Sequence, residues 1–176
     1  MTTATTALTL TTTVDSPIGP LTLTAVDGEL TGLHMADQAH LPVDRGDRVP
    51  DRAAFKDVVE QLTAYFAGDL TDFDVPLRAQ GTEFQRRVWD GLCRIPFGET
   101  WSYAQLAQRV GNVKACRAVG LANGRNPIAI IVPCHRVIGA NGTLTGYGGG
   151  LDRKAWLLDH ERRVLKGIAG GERGGT

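Results

Sequence analysis

The chain has 176 residues, 42% of them hydrophobic and 22% charged, with 19 basic and 19 acidic side chains and a formal net charge of zero. That length holds one medium domain or two small ones, and the composition excludes disordered and collagen-like classes. No apolar run approaches the roughly 18 residues of a membrane span, no secretory signal is visible at the start, and three cysteines without metal-like spacing exclude a disulfide framework or a zinc site.

Neutrality hides an asymmetry. Residues 1–81 carry 5 Lys/Arg against 12 Asp/Glu, whereas residues 82–176 carry 14 against 7. The split suggests two domains, an acidic 1–81 and a basic 82–168 that faces a polyanion, followed by a tail at 169–176 expected to be disordered. The bland alternative is a dipolar protein whose halves attract each other.

The opening, Met1 to Thr13, is Thr-rich, polar and β-prone. Leu8 to Val14, Leu21 to Val26 and Leu30 to Met35 alternate like strands, and Asp27-Gly28 between the last two is a hairpin signal. A loop rich in Pro, Asp and Arg follows, from Ala39 to Arg52. Phe55, Val58, Val59, Leu62 and Phe66 then recur at helical spacing until Gly68. Phe73 to Leu77 is a candidate further strand before a linker at Ala79-Gln80-Gly81. No catalytic constellation occurs here, so the first half reads as a scaffold.

After Gly81 the pattern turns helical. Thr82 to Gln85 forms a capping box, opening a helix whose Phe84, Val88, Trp89 and Leu92 share a face and whose Cys93 reads as core; Pro96-Phe97-Gly98 ends it. A second box, Ser102 to Gln105, starts a short helix through Leu106 to Val110. Gly111-Asn112 makes a turn, and Lys114 to Ala122 reads as another helix before Asn123-Gly124. Short helix, glycine turn and second helix outline a helix-turn-helix. The second helix carries small residues (Ala115, Ala118, Gly120, Ala122) around Cys116 and Arg117, so its backbone can approach a surface closely. Tight helix packing is the bland reading of the same residues.

The apolar run Ile128 to Val132 reads as a buried strand, and at its end stands Pro133-Cys134-His135-Arg136-Val137. A thiol there could serve as a nucleophile, given a basic neighbour to remove its proton. Arg136 reads as structural, a pairing or capping residue. Tyr147, among Gly146, Gly148, Gly149 and Gly150, reads as a pocket wall on a loop.

In sum these stretches resemble the O6-alkylguanine-DNA alkyltransferases of bacterial type. The resemblance rests on Phe84-Gln85, Phe97-Gly98-Glu99-Thr100, Ser102-Tyr103, Ala118-Val119-Gly120, Gly124-Arg125-Asn126-Pro127, the Cys134 segment, Gly146-Tyr147, Trp156-Leu157-Leu158 and His160-Glu161. It covers residues 82–166 in the family's order, and Asp15 to Gly19 extends it more loosely into the first half. It implies an α+β fold, with an N-terminal three-stranded antiparallel sheet plus helices and a mainly helical, winged-helix-like C-terminal domain.

The implied reaction is stoichiometric, irreversible transfer of an alkyl group from O6-alkylguanine in duplex DNA to Cys134 after base flipping, with O4-alkylthymine as an open second substrate. By resemblance, Cys134, His135 and Glu161 form a thiol–water–imidazole–carboxylate relay, and Tyr103, both a catalytic and a DNA-contacting residue, presses against the 3′ phosphate and offers its phenol hydroxyl to the base. Ala115, Cys116, Arg117, Ala118 and Gly120 would lie in the minor groove of double-stranded DNA. Val137, Tyr147 and Gly148 would line the base pocket, and Asn126 would brace the hinge. No cofactor or metal is implied, no membrane partner is expected, the free protein is expected to be monomeric, and its cooperativity on DNA is left open. The cytoplasm is the expected location. Two departures stand out: Gly148 where some members carry a serine, and Cys116 where small alanines are usual. A rival reading is a lesion-gripping protein without transfer, but such relatives generally lack the reactive cysteine. A Cys-His thiol hydrolase would need an oxyanion hole, and none is identifiable.

Overall fold

The computed structural model describes residues 8–38, 48–144 and 146–171, with side chains to residue 167. Strands β1 (Thr9–Val14), β2 (Leu21–Val26) and β3 (Glu29–Met35) form an antiparallel meander. Asp27 and Gly28 both take positive φ, 51° and 79°, which lets a two-residue turn match the strand twist. A β-bulge between Thr24 and Ala25 shifts the β2–β3 register.

The sheet has four strands rather than three. Within the expected loop of 39–52, Arg48–Pro50 forms β4 and pairs in parallel with β1, giving the order β3-β2-β1-β4. Residues 39–47 of that loop, and 1–7 of the Thr-rich opening, lie outside the described residues. Phe73 to Leu77 is not a strand. Only Leu77 bridges to Leu30, where Leu30 N donates to Pro76 O (2.8 Å) and Arg78 N to Leu30 O (2.8 Å). Pro76 cannot donate to a ladder, which limits the pairing.

Helix α1 (Lys56–Ala67) buries Val58, Leu62 and Tyr65 and ends at Gly68. Helix α2 (Glu83–Leu92) opens with the expected capping box: Gln85 N donates to Thr82 Oγ1 (3.1 Å), and Gln85 Oε1 accepts from Thr82 N (3.0 Å). Cys93 does not join the core. It caps the exposed end of α2, since the buried stripe of that helix runs through Val88, Trp89 and Leu92. Ser102 and Gln105 form the second box, opening α3 (Tyr103–Arg109) directly after the short strand β5 (Trp101–Ser102).

Helix α4 spans Cys116–Gly124, two residues later than expected at both ends. Residues 112–115 make a turn of their own, with Asn112 Oδ1 accepting from Lys114 N (3.2 Å) and Ala115 N donating to Asn112 O (3.1 Å). Strand β6 (Val137–Ile138) pairs with β5 in parallel, and helix α5 (Leu151–Gly171) closes the structure. It runs three residues past the expected boundary at 168, and residues 172–176 lie outside those described.

The run Ile128 to Val132 is buried but is not a strand. It coils through tight turns: Ile131 N donates to Ala129 O (2.8 Å), Val132 N to Ile128 O (3.0 Å) and Cys134 N to Val132 O (2.8 Å). Ile130 is held at φ 72°, which β-branched residues rarely adopt. Composition could not distinguish this coil from a strand, since both are apolar throughout. Its one ladder contact is with the edge strand β3, through Leu33 N to Pro127 O (3.0 Å) and Ala129 N to Leu33 O (3.2 Å). The first half thereby holds the cysteine-bearing segment on its sheet edge, which also keeps that edge from pairing elsewhere.

His34 on β3 is 7% exposed, and its Nδ1 has no hydrogen-bond partner among the described residues. Burial, helped by the Arg48 charge, lowers its pKa from 6.5 to about 4. Between those values the unfolded chain binds a proton that the folded one refuses, so stability rises with pH across that window. We expect His34→Leu to flatten this dependence by up to roughly 3 kcal/mol. Urea midpoints at pH 4.5 and 7 check it, and an unchanged difference between them would contradict it.

Candidate active site

Cys134, His135 and Arg136 form one 3-10 turn at the end of the coiled segment. Asn126 holds that segment at both ends, its Nδ2 donating to Val132 O (2.7 Å) while its Oδ1 accepts from Ile128 N (3.0 Å). The cysteine turn is thus held by a side-chain brace rather than by a sheet.

Cys134 is 6% exposed. A narrow cleft reaches it, lined also by Asn126, Tyr147, Gly148 and, from the first half, Gln38. Burial raises the thiol pKa; the Asn126 amide, the Lys154 ammonium and the Tyr147 hydroxyl oppose it without prevailing. At neutral pH the group is therefore a thiol, which needs a base before it can attack as thiolate. Tyr147 Oη is buried beside it without a properly formed hydrogen bond among the described residues, and burial holds this phenol protonated.

The next residue in sequence is a histidine. His135 is fully buried and its Nε2 lies 2.7 Å from Glu161 Oε2. Burial lowers its pKa, outweighing the hydrogen bond and charge of Glu161. A neutral imidazole facing a carboxylate donates from Nε2, which leaves the lone pair on Nδ1. That Nδ1 is buried with no partner among the described residues.

Glu161, on α5, is also fully buried. Besides His135 it accepts from Tyr65 Oη (2.7 Å), Gly98 N (3.1 Å), Arg136 Nε (2.8 Å) and Arg136 Nη2 (3.1 Å). Burial pushes its pKa up, but the His135 and Arg136 contacts overcome this and hold the carboxyl well below the usual range. Gly98 has φ 80°, and a Cβ there would run into Leu165, so only glycine brings this N–H to the carboxylate. Each nitrogen of Arg136 has a partner, Nη1 donating to Ile95 O (2.7 Å), and its guanidinium lies 5.6 Å from the Phe97 ring centre.

The remaining site residues fall into two groups. Val137 is buried behind the turn in the β5–β6 pair. Tyr103 opens α3, half-buried, close to Gly120 of α4 and Gly146 of the loop. Cys116, Arg117 and Ala118 are exposed on α4, and Ala115 is half-buried just ahead of it. Neighbouring Lys114, Leu121 and Arg125 are exposed as well. No group of three or more His, Cys, Asp or Glu among the described residues could hold a metal.

Sequence reasoning missed Tyr65, Lys154 and Gln38. Lys154 had a signal, since it shares the α5 face of Leu157, Leu158 and Glu161, where a lysine is out of place. Burial lowers its pKa to about 8, against the pull of Cys134. Tyr65 reads as a core aromatic and Gln38 as a loop polar, with nothing to mark either.

Comparison with known proteins agrees over both halves. Residues 83–163 match the family model described as 6-O-methylguanine DNA methyltransferase, DNA binding domain, and residues 9–79 match the ribonuclease-like domain of the same family. The methylated-DNA--protein-cysteine methyltransferase of Mycolicibacterium paratuberculosis is 62% identical over 151 residues, 86% of this chain and 91% of the relative. That of Mycobacterium tuberculosis (strain ATCC 25618 / H37Rv) is 59% identical over 150 residues, covering 85% and 90%. The crystal structure of Mycobacterium tuberculosis OGT in complex with DNA superposes with a TM-score of 0.85 at 57% identity, covering 88% of this chain and 94% of that one.

Proposed function

The chain belongs to the 6-O-methylguanine DNA methyltransferase family, and from that premise we propose that Cys134 is the alkyl-accepting residue of a single-use repair reaction on duplex DNA. Direct reversal, with an alkyl group passing from O6-alkylguanine to a cysteine, is the activity of this chain. The observation that carries the assignment to Cys134 is the adjoining buried chain of groups: a thiol in a cleft, then an imidazole with an unpartnered Nδ1 and a carboxylate on its Nε2.

The steps follow from those groups. His135 Nδ1 takes the thiol proton by way of a water, and ionised Glu161 stabilises the imidazolium that forms. The thiolate sulfur attacks the alkyl carbon in line; the S–C bond forms as the C–O6 bond breaks, and the electron pair leaves on guanine O6. Tyr147 Oη, buried beside the thiol, and the backbone N–H of Gly148 would be the donors that meet that developing charge. The thioether is not hydrolysed, so each molecule acts once. Carbonyls of Cys134 and Val137 would accept the guanine exocyclic amine, which adenine lacks.

A base in a duplex reaches the cleft only by leaving the stack, at a cost of a few kcal/mol. Arg117, Ala118 and Gly120 on α4 support minor-groove docking, with Arg117 filling the vacated stack and Tyr103 pressing on the nucleotide's phosphate. We expect Arg117→Ala to slow repair of duplex DNA at least about tenfold, while reaction with free O6-benzylguanine changes little, because the free base needs no extrusion. Equal loss on both substrates would assign Arg117 to the fold.

Intact-mass spectrometry after incubation with one O6-methylguanine per duplex tests the reading. The expected result is one CH₂ gained per protein, mapped to the Cys134 peptide. Binding without a gain in mass, or many repairs per molecule, would overturn it. Three free thiols, of which Cys93 and Cys116 are exposed, suit a reducing cytoplasm.

A further inference from the structure

Tyr65 belongs to α1 in the first half, far in sequence from the cysteine segment, yet its hydroxyl donates to Glu161 Oε2 at 2.7 Å, and both residues are 0% exposed. The same carboxylate oxygen lies 2.7 Å from His135 Nε2. We propose that Tyr65 is a positioning residue of the transfer reaction, holding Glu161 as an anion so that His135, and not the carboxylate, keeps the proton drawn from Cys134. This rests on the relay assigned above and extends it into a half that otherwise reads as a scaffold.

The residue is fixed for that task at two points. His160 Nε2 lies 2.7 Å from the Tyr65 carbonyl, so His160 donates there, and the next residue, Glu161, accepts from the Tyr65 hydroxyl. Two consecutive side chains of α5 thereby grip the backbone and the phenol of one α1 residue. The ring packs edge-on to Phe66, Phe97 and His160, at 5.2, 6.1 and 5.2 Å between ring centres. A tyrosine serving only as core would have no need to place its hydroxyl on the relay oxygen.

The chemistry follows from counting donors. When His135 accepts a proton at Nδ1, its Nε2–H becomes acidic toward Oε2. Each other donor on that oxygen lowers its proton affinity and keeps the Nε2 proton on the ring. Oε2 receives Tyr65 Oη and Arg136 Nη2 in addition to His135; Oε1 receives Arg136 Nε and Gly98 N. The charged and titratable groups around the pair are Arg136 and Lys154, with His160 and Tyr147 acting on Tyr65 itself. Burial holds the Tyr65 phenol protonated, so it remains a donor at every working pH.

Removing the hydroxyl raises the proton affinity of the Glu161–His135 pair, and the acid-side loss of activity then begins at higher pH. The test follows inactivation of the full-length protein by free O6-benzylguanine across pH 4.5–9, so that DNA binding does not enter. Tyr65→Phe is expected to move the acid-side half-point up by about one pH unit while leaving the alkaline plateau. A half-point that stays in place, with or without a uniform fall in rate, would overturn the proposal, because lost packing alone does not move it. Should Tyr65→Phe prove too unstable, a ring-fluorinated tyrosine at the same position keeps the hydroxyl and donates more strongly, so its half-point moves down; an unmoved one again overturns the proposal. Glu161→Gln separates the two readings. If it leaves the acid limb where it was, the relay itself fails; if it abolishes the limb while Tyr65→Phe leaves it unmoved, only the part given to Tyr65 fails.

Discussion

Cys134→Ser is expected to lower alkyl transfer by at least about four orders of magnitude while binding to alkylated duplex DNA persists. The reason lies in the geometry of the turn. Serine fits where cysteine does, in a buried position braced by Asn126, so neither the cleft nor the exposed face of α4 should change. What changes is the proton. Burial already raises the cysteine pKa, and the adjacent imidazole has to complete its ionisation; an alcohol lies far beyond that reach. Single-turnover assays with mass detection, alongside a gel-shift titration, measure both arms. Transfer that survives the substitution would mean another nucleophile, and exposed Cys93 and Cys116 would be the first to map.

The second large effect concerns stability. Arg136→Met should destabilise the fold by about 3–5 kcal/mol, since it leaves Glu161 buried without its cationic partner. That is a large share of the 5–15 kcal/mol typical of a domain. The pH dependence gives the sign. In the native protein the Glu161 carboxyl is held below its unfolded value, so its contribution is complete above the ordinary carboxylate range and fades as pH falls through the lowered pKa. Without Arg136 burial loses one of the groups that oppose it, so the folded pKa is expected to rise, and once it passes the unfolded value protonation favours the folded state. The gap between variant and wild type should narrow as pH drops from 7.5 to 5. Urea unfolding at both values measures it, and a gap that stays constant or remains below about 1 kcal/mol would show that the pair carries little.

Much of this architecture was legible because its signals are local. Both capping boxes form as Thr82 and Ser102 announce them, and the turn at Asp27-Gly28 joins two strands. The cysteine segment and its histidine are adjacent in sequence, so their juxtaposition needed no fold to be seen. Glu161 came from resemblance, since twenty-five residues separate it from Arg136 and no pattern links them. What stayed hidden was tertiary. The run 128–132 is apolar because it is buried, but burial does not say whether a chain extends or coils, and Asn126 decides for the coil. Tyr65 and Gln38 gain their places only when the first half folds against the second. The fourth strand was missed because Arg48–Pro50 is short and ends in proline, at an edge where no alternation is required.

Arg153 illustrates what such cross-chain contacts entail. From α5 it donates to the carbonyls of Ile18 (3.1 Å) and Gly149 (3.1 Å) and to that of Ala36. One guanidinium therefore ties the glycine-rich loop at the cleft to two turns of the sheet. Any fluctuation that lifts the loop far enough to admit a base has to loosen those turns as well. Protection of amides against solvent exchange near residues 18 and 36 should consequently fall and recover together with that near residue 149, as one cooperative opening rather than three local ones.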